Sequence, residues 1–250
     1  MKLCVIGGAG ARSAFLTKSL VKSARDIRVD HIVLLDNDQQ KLKTYGEISR
    51  ELARRLDPDL TFEVTSDARA ALTGVDYIIT TIRAGEDAGR LFDEQTCLAH
   101  GVLGQETTGA GGFAMAIRSV PTLVYYCTLA REVANPGHLI FNFTNPSGII
   151  TQALRSKGFD NVYGICDAPS GFIKQLEEIL EIPYGTLDIE CYGLNHLSWF
   201  RNAKVNGRDV QRELLDNPRT YEHSEMRLFT REMARISGDC MLNEYLYFYY

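Results

Sequence analysis

The sequence lacks several features that would each have settled its class. Its six cysteines, at positions 4, 97, 127, 166, 191 and 240, form no CxxC pair, so there is no zinc-ribbon pattern. No apolar run approaches the roughly 18 residues of a membrane span. The opening MKLCVIGGAG is broken by glycine before an apolar core can build, so it is read as carrying no export signal. Reduced thiols, a cytoplasmic location and no membrane partner are therefore expected. The net charge is −5. Positive charge is spread out, and its densest patch, Arg50, Arg54 and Arg55, alternates with acids, so no nucleic-acid partner is expected. Repeats, low-complexity tracts and linkers are missing too.

What remains is ordinary globular material: 250 residues, 45% hydrophobic and 24% charged, enough for one or two domains. Apolar strands at 2–6, 31–36, 61–65, 75–81, 138–144 and 161–166 alternate with helical segments, of which 13–24, 38–56 and 68–72 are the plainest. That alternation predicts an α/β fold, a Rossmann-like doubly wound parallel sheet. After about residue 186 the pattern changes to longer strands with a hairpin signal at Asn206-Gly207. Residues 1–185 are thus expected to form a nucleotide-binding domain, and 186–250 the beginning of an α+β substrate domain. The terminal NEYLYFYY, unusually aromatic for a chain end, suggests tight packing or a natural protein that continues.

The turn after the first strand, GGAGARS, allows a pyrophosphate to approach the backbone at a helix start. Gly7, Gly8 and Gly10 are its candidate residues. A third glycine is absent, with Ser13 in its place. Asp36 ends the second strand, where an acid can bind an adenosine ribose and repel a 2′-phosphate, so NAD is expected rather than NADP.

Other reactive residue types collect where strands end, the edge at which such folds bind ligands. They are Arg83, then Gln105 and Glu106 in GVLGQETTGAGGF, Asn145 in FTNPSG, and Cys166-Asp167. Further on, Asn195 and His196 interrupt the apolar stretch YGLNHLSWF, read as a buried strand, where polar groups cost free energy unless partnered. A hydrogen-bonded core histidine is the plain reading of His196. A thiolate and an imidazole can also share a divalent transition metal, which makes Cys166 and His196 a candidate pair.

Taken in order, GQETTGAGGF, FNFTNPSG, YGICDAP, YGLNHLSWF and NEYLYFYY, behind the glycine turn, resemble glycoside hydrolase family 4, the NAD- and manganese-dependent glycosidases. The resemblance covers essentially the whole chain. Family members are typically longer, so this chain looks like their amino-terminal part. The resemblance implies NAD+ and Mn2+ as cofactors and Cys166 and His196 as metal ligands. It implies Arg83, Glu106, Asn145 and Asn195 at the substrate, Asp167 at the position of the general acid of the α-acting members, and Tyr245 as base, with Tyr247 or Tyr249 as alternatives. The glycine turn departs from the family's usual GGGSxxTP. The implied chemistry is oxidation of the sugar at C3, deprotonation at C2 and elimination of the aglycone, an exception to two-carboxylate glycosidases. A phosphorylated glycoside is the expected substrate, a 6-phospho-β-glucoside ahead of the α-anomer, and a homodimer or homotetramer the expected assembly. The competing readings are an NAD-dependent 2-hydroxyacid dehydrogenase, whose lactate/malate dehydrogenase fold is related, and a catalytically inactive NAD-binding fragment.

Overall fold

A computed structural model describes residues 1–243, 245 and 246. By its internal contacts the chain divides into Met1–Ile165 and Cys166–Tyr250.

The first unit runs β1 (Lys2–Ile6), α1 (Ser13–Ser23), β2 (His31–Leu35), α2 (Gln39–Lys41), a π-helical turn (Leu42–Gly46), α3 (Glu47–Leu56), β3 (Thr61–Thr65), α4 (Ala68–Leu72), β4 (Tyr77–Thr80), α5 (Glu86–Ala99), α6 (Gly109–Val133), β5 (Leu139–Asn142), α7 (Ser147–Ser156) and β6 (Val162–Gly164). The strands lie in the order β3-β2-β1-β4-β5-β6, and every pairing is parallel. This is the doubly wound dinucleotide-binding order. Alternation explains the two faces. Cys4, Ile6, Val33 and Leu35 join a core with α4, α6 and α7, whereas Leu3, Val5, Ile32 and Leu34 face Val21 of α1 and Ala53 of α3. Strands buried on both sides read as continuous apolar runs, as these do. The helix expected over 38–56 is interrupted by the π-helical turn. Asp38 still starts it, accepting the amides of Gln40 and Lys41.

α6 differs from one expectation. By length and composition it is apolar enough to cross a membrane. Here Met115, Ala116, Leu123, Cys127 and Ala130 line its buried face, which packs in the unit's core.

The second unit runs α8 (Ala168–Leu180), β7 (Leu187–Leu194), β8 (Leu197–Val205), β9 (Arg208–Asp209), α9 (Gln211–Asp216), α10 (Pro218–His223), a 3-10 turn (Glu225–Leu228), α11 (Arg231–Ile236) and β10 (Met241–Leu242). Its sheet is antiparallel, β10-β8-β7, with β9 on β8. Phe172, Leu176 and Ile179 of α8 share a core with Phe200 and Ala203 of β8 and with Met241 and Leu242. That packing groups α8 with the second unit, so the division by contacts precedes residue 185.

Candidate functional site

In the first unit the glycine turn is shaped by contact. Gly7 has φ +80°, and a Cβ there would lie 2.7 Å from the Thr81 carbonyl oxygen, so only glycine fits without strain. Its amide and that of Gly8 both donate to the Leu35 carbonyl. By contrast, the space a Cβ would occupy at Gly10 is open, and no side chain caps the start of α1. The Ser13 and Phe15 amides return to the Gly10 and Arg12 carbonyls, and it is the positive end of the helix beside open space that fits an anionic group such as a pyrophosphate. Asp36 closes the turn: Oδ2 accepts the Ala9 amide at 3.1 Å and Oδ1 the Asp38 amide at 3.1 Å. A carboxylate has about four acceptor sites, so the oxygens retain capacity for ribose hydroxyls. The residues present fit a dinucleotide.

The loop after β4 carries Arg83. Its guanidinium lies 2.5 Å from Asp87 and 3.3 Å from Glu106, and Arg90 on α5 reaches the same Glu106 oxygen at 3.7 Å. The structure therefore brings Arg83 and Glu106 together, and adds an arginine the sequence reading missed. Its signal was weak, one of many i,i+4 ion pairs, here with Glu94. Gln105 turns back on its own loop, its side-chain oxygen accepting the amides of Thr107 and Thr108 before α6. Asn145 follows a pinned turn. Buried Asn142 accepts the Thr80 hydroxyl and donates toward Thr144, Ser147 and Thr151. The Thr144 hydroxyl in turn accepts the Ile82 amide at 3.1 Å, linking the loops after β4 and β5.

In the second unit the expected buried strand over YGLNHLSWF is instead a hairpin. β7 ends at Leu194, which pairs with Leu197, and Asn195-His196 form the two-residue turn. His196 sits at φ +60°, a left-handed conformation in which histidine is enriched among non-glycine residues. Gly193 has φ +121°, and a Cβ there would come within 2.3 Å of the Leu197 carbonyl oxygen. A side chain would not fit, so this glycine permits the turn that aims His196.

His196 is 8% exposed. Its Nε2 lies 3.6 Å from Cys166 Sγ, and its ring meets Tyr245 edge to face, centroids 4.1 Å apart. The Asn195 amide oxygen is buried without a hydrogen-bond partner among the described residues, a cost that a ligand would relieve. Thiol and imidazole suit a borderline divalent cation such as zinc, and oxygen donors such as the Asn195 amide and solvent suit a harder one such as manganese. Among the described residues there is no group of three or more His, Cys, Asp or Glu able to hold a metal, so substrate or solvent oxygens would complete the shell. Asp167 begins α8, exposed, with its carbonyl accepting Gly171 N–H. Tyr245 is anchored through its amide to Asn243 Oδ1. Tyr247 and Tyr249 lie outside the described residues. Burial pushes the thiols of Cys4 and Cys127 up to about 12, which makes them inert core residues.

The model described as Family 4 glycosyl hydrolase matches residues 2–182, and that of the Family 4 glycosyl hydrolase C-terminal domain matches 191–250. The 6-phospho-beta-glucosidase BglT of Thermotoga maritima is 35% identical over 219 residues, 87% of this chain and 51% of the relative. A structure of the Thermotoga maritima 6-phospho-beta glucosidase with manganese, NAD+ and glucose-6-phosphate superposes with TM-score 0.88 at 32% identity, covering 100% of this chain and 59% of that one. A 6-phospho-alpha-glucosidase from gut microorganisms, in complex with NAD and Mn2+, gives TM-score 0.88 at 27% identity over 98% of this chain and 59% of that one. Malate dehydrogenase from Salinibacter ruber, at 18% identity and TM-score 0.62, shares the fold. The chain spans about half the length of the curated relatives it matches.

Proposed function

This chain belongs to family 4 of the glycosyl hydrolases, and from that premise we propose that it carries the nucleotide- and metal-binding part of a 6-phospho-β-glucosidase. The observation that carries the proposal is the thiol–imidazole pair, Cys166 Sγ 3.6 Å from His196 Nε2, in a chain with a dinucleotide turn. When bound, NAD+ would supply a hydride acceptor for C3 of the sugar and the divalent metal a Lewis acid for its oxygens.

The chain's own residues do the rest. Gly7, Gly8 and Gly10 let the pyrophosphate approach the amides at the start of α1, and Asp36 accepts hydrogen bonds from the adenosine ribose. Cys166 and His196 would hold the metal, and the Asn195 amide oxygen would accept a hydrogen bond from a sugar hydroxyl. Arg83, with Arg90 beside it, binds the anionic substrate, Glu106 fixes both guanidiniums, and Asn145 hydrogen-bonds the sugar. Tyr245 removes the proton at C2, and Asp167 delivers one to the departing aglycone oxygen. The protein is cytoplasmic and a homodimer or homotetramer in this reading.

The test is nitrophenol release from nitrophenyl 6-phospho-β- and α-glucosides, with reductant, with and without NAD+ and Mn2+. Release that requires both cofactors and prefers the β-anomer is expected. Preference for the α-anomer would move the chain to the 6-phospho-α-glucosidases. Net NADH formed from a 2-hydroxy acid would replace the glycosidase reading with a dehydrogenase, and NAD+ binding without turnover would leave a binding fragment.

A further inference from the structure

Arg118 of α6 uses its guanidinium in an uncommon way. Nη1 donates to Asp93 Oδ1 at 2.9 Å, and Nη2 donates to Asp93 Oδ2. Nε donates to the Ala84 carbonyl at 3.2 Å, and Nη2 also reaches Met115 Sδ at 3.5 Å. Asp93 is 6% exposed. A buried ion pair is weak evidence for stability, because desolvation offsets much of the attraction. What this one does instead is tie three segments together: α6, α5 through Asp93, and the loop after β4 through Ala84.

That loop needs tying. Gly85 and Glu86 both have positive φ, +83° and +54°, and for glutamate the left-handed conformation is uncommon. A Cβ at Gly85 would lie 3.0 Å from Arg118 Nε, and one at Gly89 would lie 3.4 Å from it. The guanidinium therefore occupies the space that these glycines leave. Ala84 follows Arg83 directly, and Asp93 lies three residues, nearly one helical turn, after Arg90. The two backbones held by Arg118 are the two from which Arg83 and Arg90 project toward Glu106.

We propose that Arg118 and Asp93 are positioning residues that hold Arg83 and Arg90 at one spacing, so that the two arginines act as a single anion clamp. Lysine cannot replace Arg118, because an ammonium offers no planar fork that spans a carboxylate and a carbonyl. The ligand part of this inference rests on the family 4 reading, but the bracing does not.

The experiment pairs hydrogen exchange with kinetics on the full chain, comparing R118K, D93N and, as a control on the same helix, R131K. Amide exchange over residues 84–90 is expected to quicken about tenfold or more in R118K and D93N, while β1 and β2 keep their protection. R131K should match the parent. With NAD+ and Mn2+ present, affinity for glucose 6-phosphate should fall about tenfold in R118K, the scale of one misplaced charge-assisted hydrogen bond. NAD+ affinity should stay within about twofold, since the glycine turn is not braced by Arg118. With nitrophenyl 6-phospho-β-glucoside, KM should rise more than kcat falls. Unchanged exchange over 84–90 in R118K would overturn the proposal, as would parallel losses of NAD+ and glucose 6-phosphate binding, which mark general unfolding. A parent protein that binds no glucose 6-phosphate, but whose 84–90 segment loosens in R118K, would refute the substrate reading and leave the brace standing.

Discussion

In the first unit the candidate groups stand at the ends of parallel strands, whereas in the second they stand on a hairpin turn and beside it. The difference is one of how polar atoms are placed. The first unit puts Asp36, Arg83 and Asn145 just beyond its strands, the latter two on loops pinned by Asn142 and Thr144. The second has no such edge. It turns β7 into β8 on Asn195-His196 and relies on Gly193 for the geometry. A strand-end site tolerates local change, because the sheet is already formed. A turn site fails with its turn.

The strongest way to break the comparison is at His196. H196A and C166A should each lower Mn2+ affinity by at least about 100-fold, beyond the 10–100-fold typical of residues behind the ligands. Titration calorimetry would measure it, and NAD+ affinity should not change. Mn2+ binding as tight as the parent's in both variants would remove the metal from this pair.

Next comes a pair of glycine substitutions. G193A should cost more than about 2 kcal/mol, since the added methyl meets a carbonyl oxygen at a φ that alanine resists. G10A should leave folding within about 0.5 kcal/mol, because its Cβ points into open space. Its effect should fall on NAD+, about tenfold in affinity, where the methyl occupies the approach to the helix start. Denaturant midpoints and NAD+ titrations separate the two. Equal stability of the variants would refute the contrast. A smaller effect is expected at Asp36: D36N should weaken NAD+ by about tenfold, near the worth of a charged hydrogen bond, and should narrow the preference over NADP+. An unaltered ratio of the two affinities would exclude Asp36 from the ribose.

The same contrast decides what the sequence could reveal. The sheet was legible because strands buried on both faces are apolar runs whose lengths exclude helices, and Asp36 and Arg83 follow from where those runs stop. The π-helical turn at Leu42–Gly46 was not legible, since it arises where Gly46 packs against Val64. Nor was the hairpin turn at Asn195-His196. Leu194 and Leu197 flank it with the same apolar character as a continuing strand, and the positive φ values of Gly193 and His196 that make the reversal are seen only in the structure. The nearness of Cys166 and His196, 30 residues apart in sequence, depends on packing that no spacing encodes. Arg90 and Arg118 look like surface ion-pair residues until their shared partners are seen.

The last prediction tests whether polar groups at the opposite, amino ends of the strands serve folding alone. Asp76 immediately precedes β4, and its carboxylate accepts the Asn135 side-chain amide at 2.8 Å and the Lys2 amide at 2.8 Å. The Asn135 hydrogen bond, with the Lys2 amide, holds the carboxyl below its usual range. A depressed folded-state pKa means that the unfolded chain takes up the proton first as pH falls. The stabilisation is therefore fully present above the ordinary carboxylate value near ~4 and is lost as pH falls through the lower folded value. Because water screens this group, no more than about 1 kcal/mol is at stake. D76N should thus lose less stability than the parent between about pH 5 and pH 2, read from urea midpoints, with NAD+ and Mn2+ affinities at neutral pH unchanged. Identical acid dependence in the two proteins would show that Asp76 is not stabilised in the fold, and a loss of NAD+ affinity would mean that the amino ends of the strands also reach the ligand.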